Sequence, residues 1–159
     1  MMETLYILRH AKAEKVKGTQ ADFDRPLRKE GRAAAEKIGL YLKKKKITPS
    51  LVLCSPAARA RETLSEVEKA ASQRFWSEYV PELYMASAGT LEELVAGSDA
   101  ERLMLVGHNP GLHEYALEVV ETGPEKDMAA LREKFPAGAF LEIDLIKKAL
   151  TRFIRPKEL

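Results

Sequence analysis

Two histidines and two arginines carry the chemistry that this sequence offers most plainly: His10, His108, Arg9 and Arg59. Each falls where a short apolar run ends. Leu5 to Leu8 runs into Arg9-His10, and Leu103 to Val106 runs into Gly107-His108. Ser50 to Leu53 turns through Cys54-Ser55-Pro56 into the segment bearing Arg59. Apolar runs this short and rich in β-formers predict strands buried on both faces. In an open parallel sheet the carboxyl ends of the strands share one edge, where ligands bind. Two of the chain's three histidines would meet there. Such a set suits phosphoryl transfer. Arginine's planar fork meets phosphate oxygens with parallel hydrogen bonds, and donors preorganised around developing charge are usually the largest catalytic term. A histidine can be the covalent nucleophile if its attacking nitrogen is unprotonated. Neighbouring positive charge would keep that ring neutral at pH 7, and a fixed acceptor on its other nitrogen would set the tautomer. Helix starts at Pro56 and Gly111 would add backbone N–H groups.

The elements that must position these residues follow in order. Lys12 to Arg28 is polar and irregular, longer than a tight βα connection, and long ordered loops are often functional. A helix is predicted from Lys29, with Ala34, Ile38, Tyr41 and Leu42 on one face. Lys43 to Lys46 close it, where positive charge suits the helix dipole. The helix after Pro56 shows Leu64, Val67 and Ala71 on its buried face, and Arg61, two residues from Arg59, points to the surface. Trp76 to Leu83 holds a third strand bounded by Pro81, and Thr90 to Ala96 a short helix stopped by Gly97. A helix follows Gly111, with Leu112, Tyr115, Ala116, Val119 and Val120 at helical spacing. Thr122 to Gly138 is loop-like, with a helix around Met128 to Lys134. Phe140 to Leu145 and Ala149 to Ile154 form a closing hairpin. The order β-α-β-α-β-α-β-α-β-β predicts an α/β fold, a three-layer α/β/α sandwich with a mostly parallel central sheet.

Composition narrows the class. At 159 residues, 45% hydrophobic and 31% charged, the chain fits one globular domain over residues 1–159. A net charge of +2 gives no electrostatic case for nucleic acid or a membrane surface. The one cysteine, Cys54, excludes an internal disulfide and most thiolate metal sites. No apolar run approaches the roughly 20 residues of a membrane-spanning helix, and no signal peptide is visible. The expected location is cytoplasmic.

Leu8-Arg9-His10-Ala11 resembles the signature of the histidine phosphatase superfamily, which includes the phosphoglycerate mutases. Asp24-Arg25-Pro26-Leu27, Gly31, Ser55-Pro56-Ala57-Ala58-Arg59-Ala60, Thr63, Leu83-Tyr84 and Gly107-His108-Asn109-Pro110-Gly111-Leu112 narrow the likeness to the SixA-type phosphohistidine phosphatases. The motifs are in the right order over Leu5 to Leu112, and the chain is short, as in that subgroup. The resemblance implies a phosphoglycerate mutase-like fold; no cofactor is expected, and the scatter of the carboxylates predicts no metal. The resemblance also implies His10 as the nucleophile that becomes phosphorylated, Arg9 and Arg59 as holders of the phosphoryl oxygens, and His108 as the group that completes the pocket. Asn109 and the backbone around Gly107 would shape it. Arg25 is either a substrate contact or a structural partner of a carboxylate. The implied substrate is a phosphorylated protein, such as a histidine-containing phosphotransfer domain. A small phosphorylated molecule, or a catalytically inactive phosphate-binding module, is the alternative.

One departure bears on the substrate. Many superfamily members carry a glutamate proton donor after the third strand, where this chain has Met85. Glu82 is offset from that position, leaving Asp22 and Asp24 of the long loop as substitutes. The SixA-type subgroup also lacks that glutamate. A phosphoramidate P–N bond is intrinsically labile, so Met85 argues against alkyl phosphates and for phosphohistidine. A cysteine phosphatase is disfavoured, because Arg59 stands five positions after Cys54 rather than six and Pro56 removes an N–H that a phosphate loop needs. A metallophosphatase would need clustered carboxylates and histidines, and the aspartates do not recur at strand ends.

Overall fold

The computed structural model describes all 159 residues. A six-stranded sheet runs in the order β3-β2-β4-β1-β5-β6. Its strands are β1 (Thr4–Arg9), β2 (Leu51–Cys54), β3 (Ser77–Tyr79), β4 (Arg102–Gly107), β5 (Phe140–Asp144) and β6 (Ala149–Ile154). The first four are parallel, whereas β5 runs antiparallel to β1 and β6 antiparallel to β5. The helices are α1 (Lys29–Lys45), α2 (Ala58–Ala71), α3 (Ala88–Ala96), α4 (Gly111–Val119) and α5 (Glu125–Glu133).

Two apolar cores flank the sheet, and the pleat explains why the strands read as unbroken hydrophobic runs. In β1, Leu5 and Ile7 point to the core covered by α3, α4 and α5, while Tyr6 and Leu8 point to the core under α1 and α2. Leu103 and Leu105 alternate with Met104 and Val106 in the same way. Every one of these residues is buried because both faces are covered. This is the expected three-layer α/β/α arrangement.

Several elements differ from the sequence reading. The third strand is only Ser77–Tyr79 and is exposed throughout, because it lies at the sheet edge and the chain then turns through a short 3-10 segment at Pro81–Leu83. Helix α2 begins at Ala58, two residues after Pro56. Helix α3 starts early, at Ala88, because the Ser87 side chain accepts the Thr90 N–H at 3.2 Å. Ala34 and Tyr41 are only half-buried. The buried row of α1 is Gly31, Ala35, Ile38, Gly39 and Leu42, since α2 crosses α1 on its small residues.

Gly39 shows how closely the two helices meet. A Cβ there would press on the Val67 backbone oxygen and lie 2.6 Å from the Ala70 Cβ. Alanine is worth about 1 kcal/mol over glycine in a free helix, yet here it forces a backbone apart. Gly39→Ala should destabilise the protein by roughly 1–3 kcal/mol, read as a lower melting temperature. A raised melting temperature would contradict this packing.

Candidate active site

Parallel register brings the strand ends together. Arg9 ends β1 opposite Gly107, which ends β4, and the His10 N–H donates to the Gly107 oxygen at 3.1 Å. The Ser55 N–H continues β2 by donating to the Val106 oxygen at 2.9 Å. Arg59 is the second residue of α2. One turn later, the Thr63 hydroxyl donates to the Arg59 oxygen at 2.7 Å and accepts the Ala11 N–H at 3.0 Å, tying α2 to the exit of β1. Gly111 opens α4 hard against the Ala86 carbonyl, with no room there for a Cβ.

The tautomer of His10 follows from one contact. Its Nδ1 lies 2.7 Å from the Ala11 oxygen, and a carbonyl only accepts, so Nδ1 carries the proton. Nε2 therefore holds a free lone pair. Burial first, then Arg59, Arg9 and Arg25, hold the His10 pKa down at about 4 against the opposing pull of the Ala11 hydrogen bond. The neutrality expected from nearby positive charge is thus produced first by desolvation. The His108 ring centre is 5.2 Å from that of His10, and its Nε2 is 2.7 Å from the Ser55 hydroxyl. Burial, then His10 and Arg59, hold His108 at about 3. The Ser55 oxygen accepts the Ala57 N–H at 3.3 Å and keeps its own proton to give. Given to Nε2 of His108, that proton leaves Nδ1–H of His108 as a donor.

Arg59 is 2% exposed. Its Nη1 donates to the Asp22 backbone oxygen at 2.9 Å and its Nη2 to the Asp22 carboxylate at 3.1 Å. That carboxylate also accepts from Arg25 Nε at 2.9 Å and from the Tyr84 hydroxyl at 2.5 Å. Tyr84, then Arg59 and Arg25, hold the Asp22 pKa down at about 2. Asp22 is therefore ionised and a poor proton donor near neutrality. Asp24 and Glu82 are exposed and make no contact with the site, and the Met85 sulfur lies 3.8 Å from Arg59 Nη2. Both readings of Arg25 have support, since it pairs with Asp22 and also lines the pocket. Arg9 Nη1 and Asn109 Nδ2 both donate to the Phe135 oxygen, at 3.1 and 2.8 Å.

The pocket is a cavity of about 340 Å³ whose lining includes Arg9, His10, Arg25, Arg59, His108 and Asn109. Gly107 does not line the cavity; its oxygen accepts the His10 N–H. The buried side-chain atoms of the chain without a hydrogen-bond partner are Arg9 Nε, Arg59 Nε, His108 Nδ1 and Asn109 Oδ1. All four belong to residues singled out from the sequence. An unpaired buried polar atom costs about 1–3 kcal/mol, so four in one place mark a site built to meet a polar ligand. Three nitrogens beside a lone-pair Nε2 suit an anion that can be attacked. No three His, Cys, Asp or Glu side chains gather into a metal-ligand set. The sequence reading did not assign roles to Ser55, Tyr84 or the Phe135 carbonyl. Ser55 and Tyr84 stand inside the quoted motifs, whereas no local pattern marks a backbone carbonyl.

Comparisons with known proteins agree with this geometry. Residues 5–95 match the model of the histidine phosphatase superfamily, branch 1. An uncharacterised protein of Mycobacterium tuberculosis is 35% identical over 133 residues, covering 81% of this chain and 81% of its own. The proposed phosphohistidine phosphatase SixA of Agrobacterium tumefaciens superposes with a TM-score of 0.86 at 31% identity, over 98% of this chain and 99% of its own. A protein histidine phosphatase SixA, solved in complex with tungstate, shares the fold with a TM-score of 0.76 at 23% identity, over 98% of each chain. No helix is long and apolar enough to cross a membrane.

The histidines make a direct test. Both bind protons more weakly than the ordinary value of 6.5. Unfolding therefore takes up protons between about 4 and 6.5 for His10 and between about 3 and 6.5 for His108, and their contribution to stability rises with pH across those windows. In a proton NMR titration the His10 ring signals should stay flat from pH 7 down to pH 5 and titrate near 4. A midpoint near 6.5 would show that the ring is not buried as described.

Proposed function

The chain belongs to the histidine phosphatase superfamily and is a phosphatase; from that premise we propose that its substrate is a phosphorylated histidine side chain of a protein, handled by covalent transfer to His10. The observation that carries this reading is the ring of unpartnered Arg9 Nε, Arg59 Nε and His108 Nδ1 around a histidine whose Nε2 is free. The Nε2 lone pair attacks phosphorus and the bond to the leaving nitrogen breaks. His10 then carries the phosphoryl group on Nε2 and keeps its proton on Nδ1. The positive charge that develops on the ring is stabilised by the Ala11 carbonyl. Arg9, Arg59 and His108 meet the phosphoryl oxygens. Water next attacks phosphorus, the P–Nε2 bond returns its electron pair to His10, which is again neutral, and phosphate leaves carrying the new oxygen and one of the water's protons while the other passes to solvent.

Met85 supports the substrate class. An alcohol leaves poorly as alkoxide, so an ester needs an acid close to its bridging oxygen. Met85 offers none and Asp22 is ionised. A phosphohistidine can take a proton from solvent on its distal ring nitrogen and leave as neutral imidazole. The small pocket reaches the surface between exposed Lys12, Arg28 and Met85, which suits a side chain carried by a large partner. The activity proposed for the Agrobacterium relative agrees.

The test is phosphate release from a histidine-phosphorylated protein, with chelator present, for the wild type and His10→Ala. The wild type should turn over, and the variant should lose roughly 10⁴- to 10⁶-fold. Chelator-sensitive turnover, or turnover independent of His10, would overturn the mechanism. A preference for sugar phosphates or nucleotides over phosphohistidine would keep the mechanism and overturn the substrate.

A further inference from the structure

A second cavity, of about 460 Å³, lies beside the catalytic pocket. It is bounded by the first half of α1, the segment around Lys134–Ala137 and the C-terminal turn Pro156–Glu158. Its charged residues are Lys12, Lys37, Lys134, Arg155, Lys157 and one acid, Glu30. Arg155 is taken by Glu158 at 2.8 and 3.0 Å, and Glu30 by Arg28 at 3.3 Å. The four lysines make no ion pair and are exposed. A net charge of +2 over the whole chain makes four ammonium groups without an ion pair around one cavity a local feature.

This cavity is joined to the chemistry. Lys12 and Ala137 line both it and the catalytic pocket. The wall between them is the segment whose Phe135 carbonyl holds Arg9 and Asn109 and whose Gly138 N–H donates to the His10 oxygen at 3.0 Å. A protein that places a phosphorylated side chain on His10 therefore has this cavity directly beside it.

Resting on the phosphohistidine reading, we propose that this cavity docks an acidic segment of the phosphoprotein substrate. The chemistry favours an extended acidic chain over a second phosphate. Lysine ammonium groups on flexible stems act as point charges, and the only arginine fork at the cavity is already filled. Ala33, Ala34, Pro136 and Pro156 add apolar wall, against which the aliphatic stems of Glu and Asp can pack. Charges of this kind raise the encounter rate and choose between partners more than they tighten binding.

The test uses fluorescence anisotropy with an unphosphorylated, labelled peptide rich in Asp and Glu, together with its Asn/Gln counterpart. The full chain should bind the acidic peptide and not the neutral one. Lys37→Gln/Lys134→Gln/Lys157→Gln should weaken binding by about tenfold or more, as should salt near 1 M, where the Debye length is about 3 Å. In turnover, the same variant should raise KM for an acidic phosphohistidine protein and leave hydrolysis of phosphoramidate unchanged, which also shows that it is folded. Equal binding of both peptides, equal binding by wild type and variant, or tighter binding of a DNA or RNA oligomer would overturn the proposal. The binding arm needs no catalysis. Failure of the phosphohistidine reading appears separately, as loss of turnover on that substrate with peptide binding intact.

Discussion

The site rests on the burial of Arg59. A guanidinium cannot give up its proton at any ordinary pH, and an unpaired buried ion costs several kcal/mol. Arg59 is 2% exposed, so the fold has to keep an anion against it. Asp22 fills that place with a backbone oxygen and a carboxylate, yet its side chain is 45% exposed and Arg59 Nε stays unpartnered. In the proposed reaction the phosphoryl group meets Arg59 at that unpartnered Nε, while Tyr84 and Arg25 help to hold the Asp22 carboxylate on the other side of the guanidinium. Thr63 fixes the same helix turn to Ala11, so placing Arg59 and placing His10 are one structural task.

Burial also sets reactivity. The covering of both sheet faces that makes β1 and β4 apolar puts His10 and His108 at the dry end of those strands. Desolvation is the largest influence on both rings, ahead of the arginines. The Ala11 carbonyl then decides which His10 nitrogen keeps the proton. Neutrality and tautomer thus come from two short-range facts, a covered strand end and one backbone oxygen.

Much of this was legible in the sequence, because it depends on local pattern. Apolar runs ending in Arg9-His10 and Gly107-His108 gave the strands, and alternation with helices gave their parallel order. That order brings the carboxyl ends to one edge, and so it gathered the four residues. The remainder depends on contacts between distant segments. Asp22 reaches Arg59 across 37 positions, and nothing in the loop's composition shows that its carboxylate would be ionised rather than available as an acid. The short β3 reflects its place at the edge, with β2 as its one neighbour. The buried row of α1 includes Gly31 and Gly39, because a second helix approaches too closely for larger residues. An apolar-spacing pattern passes over glycine.

The central claim is that Nε2 of His10 receives the phosphoryl group because Nδ1 is committed to Ala11. It is tested most directly by quenching turnover of a phosphohistidine protein into alkali, where phosphohistidine survives, and locating the phosphate by peptide mass spectrometry and phosphorus NMR. The account predicts phosphate on His10 alone and on its Nε2. Phosphate on Nδ1, on another residue, or on no residue during active turnover would contradict it.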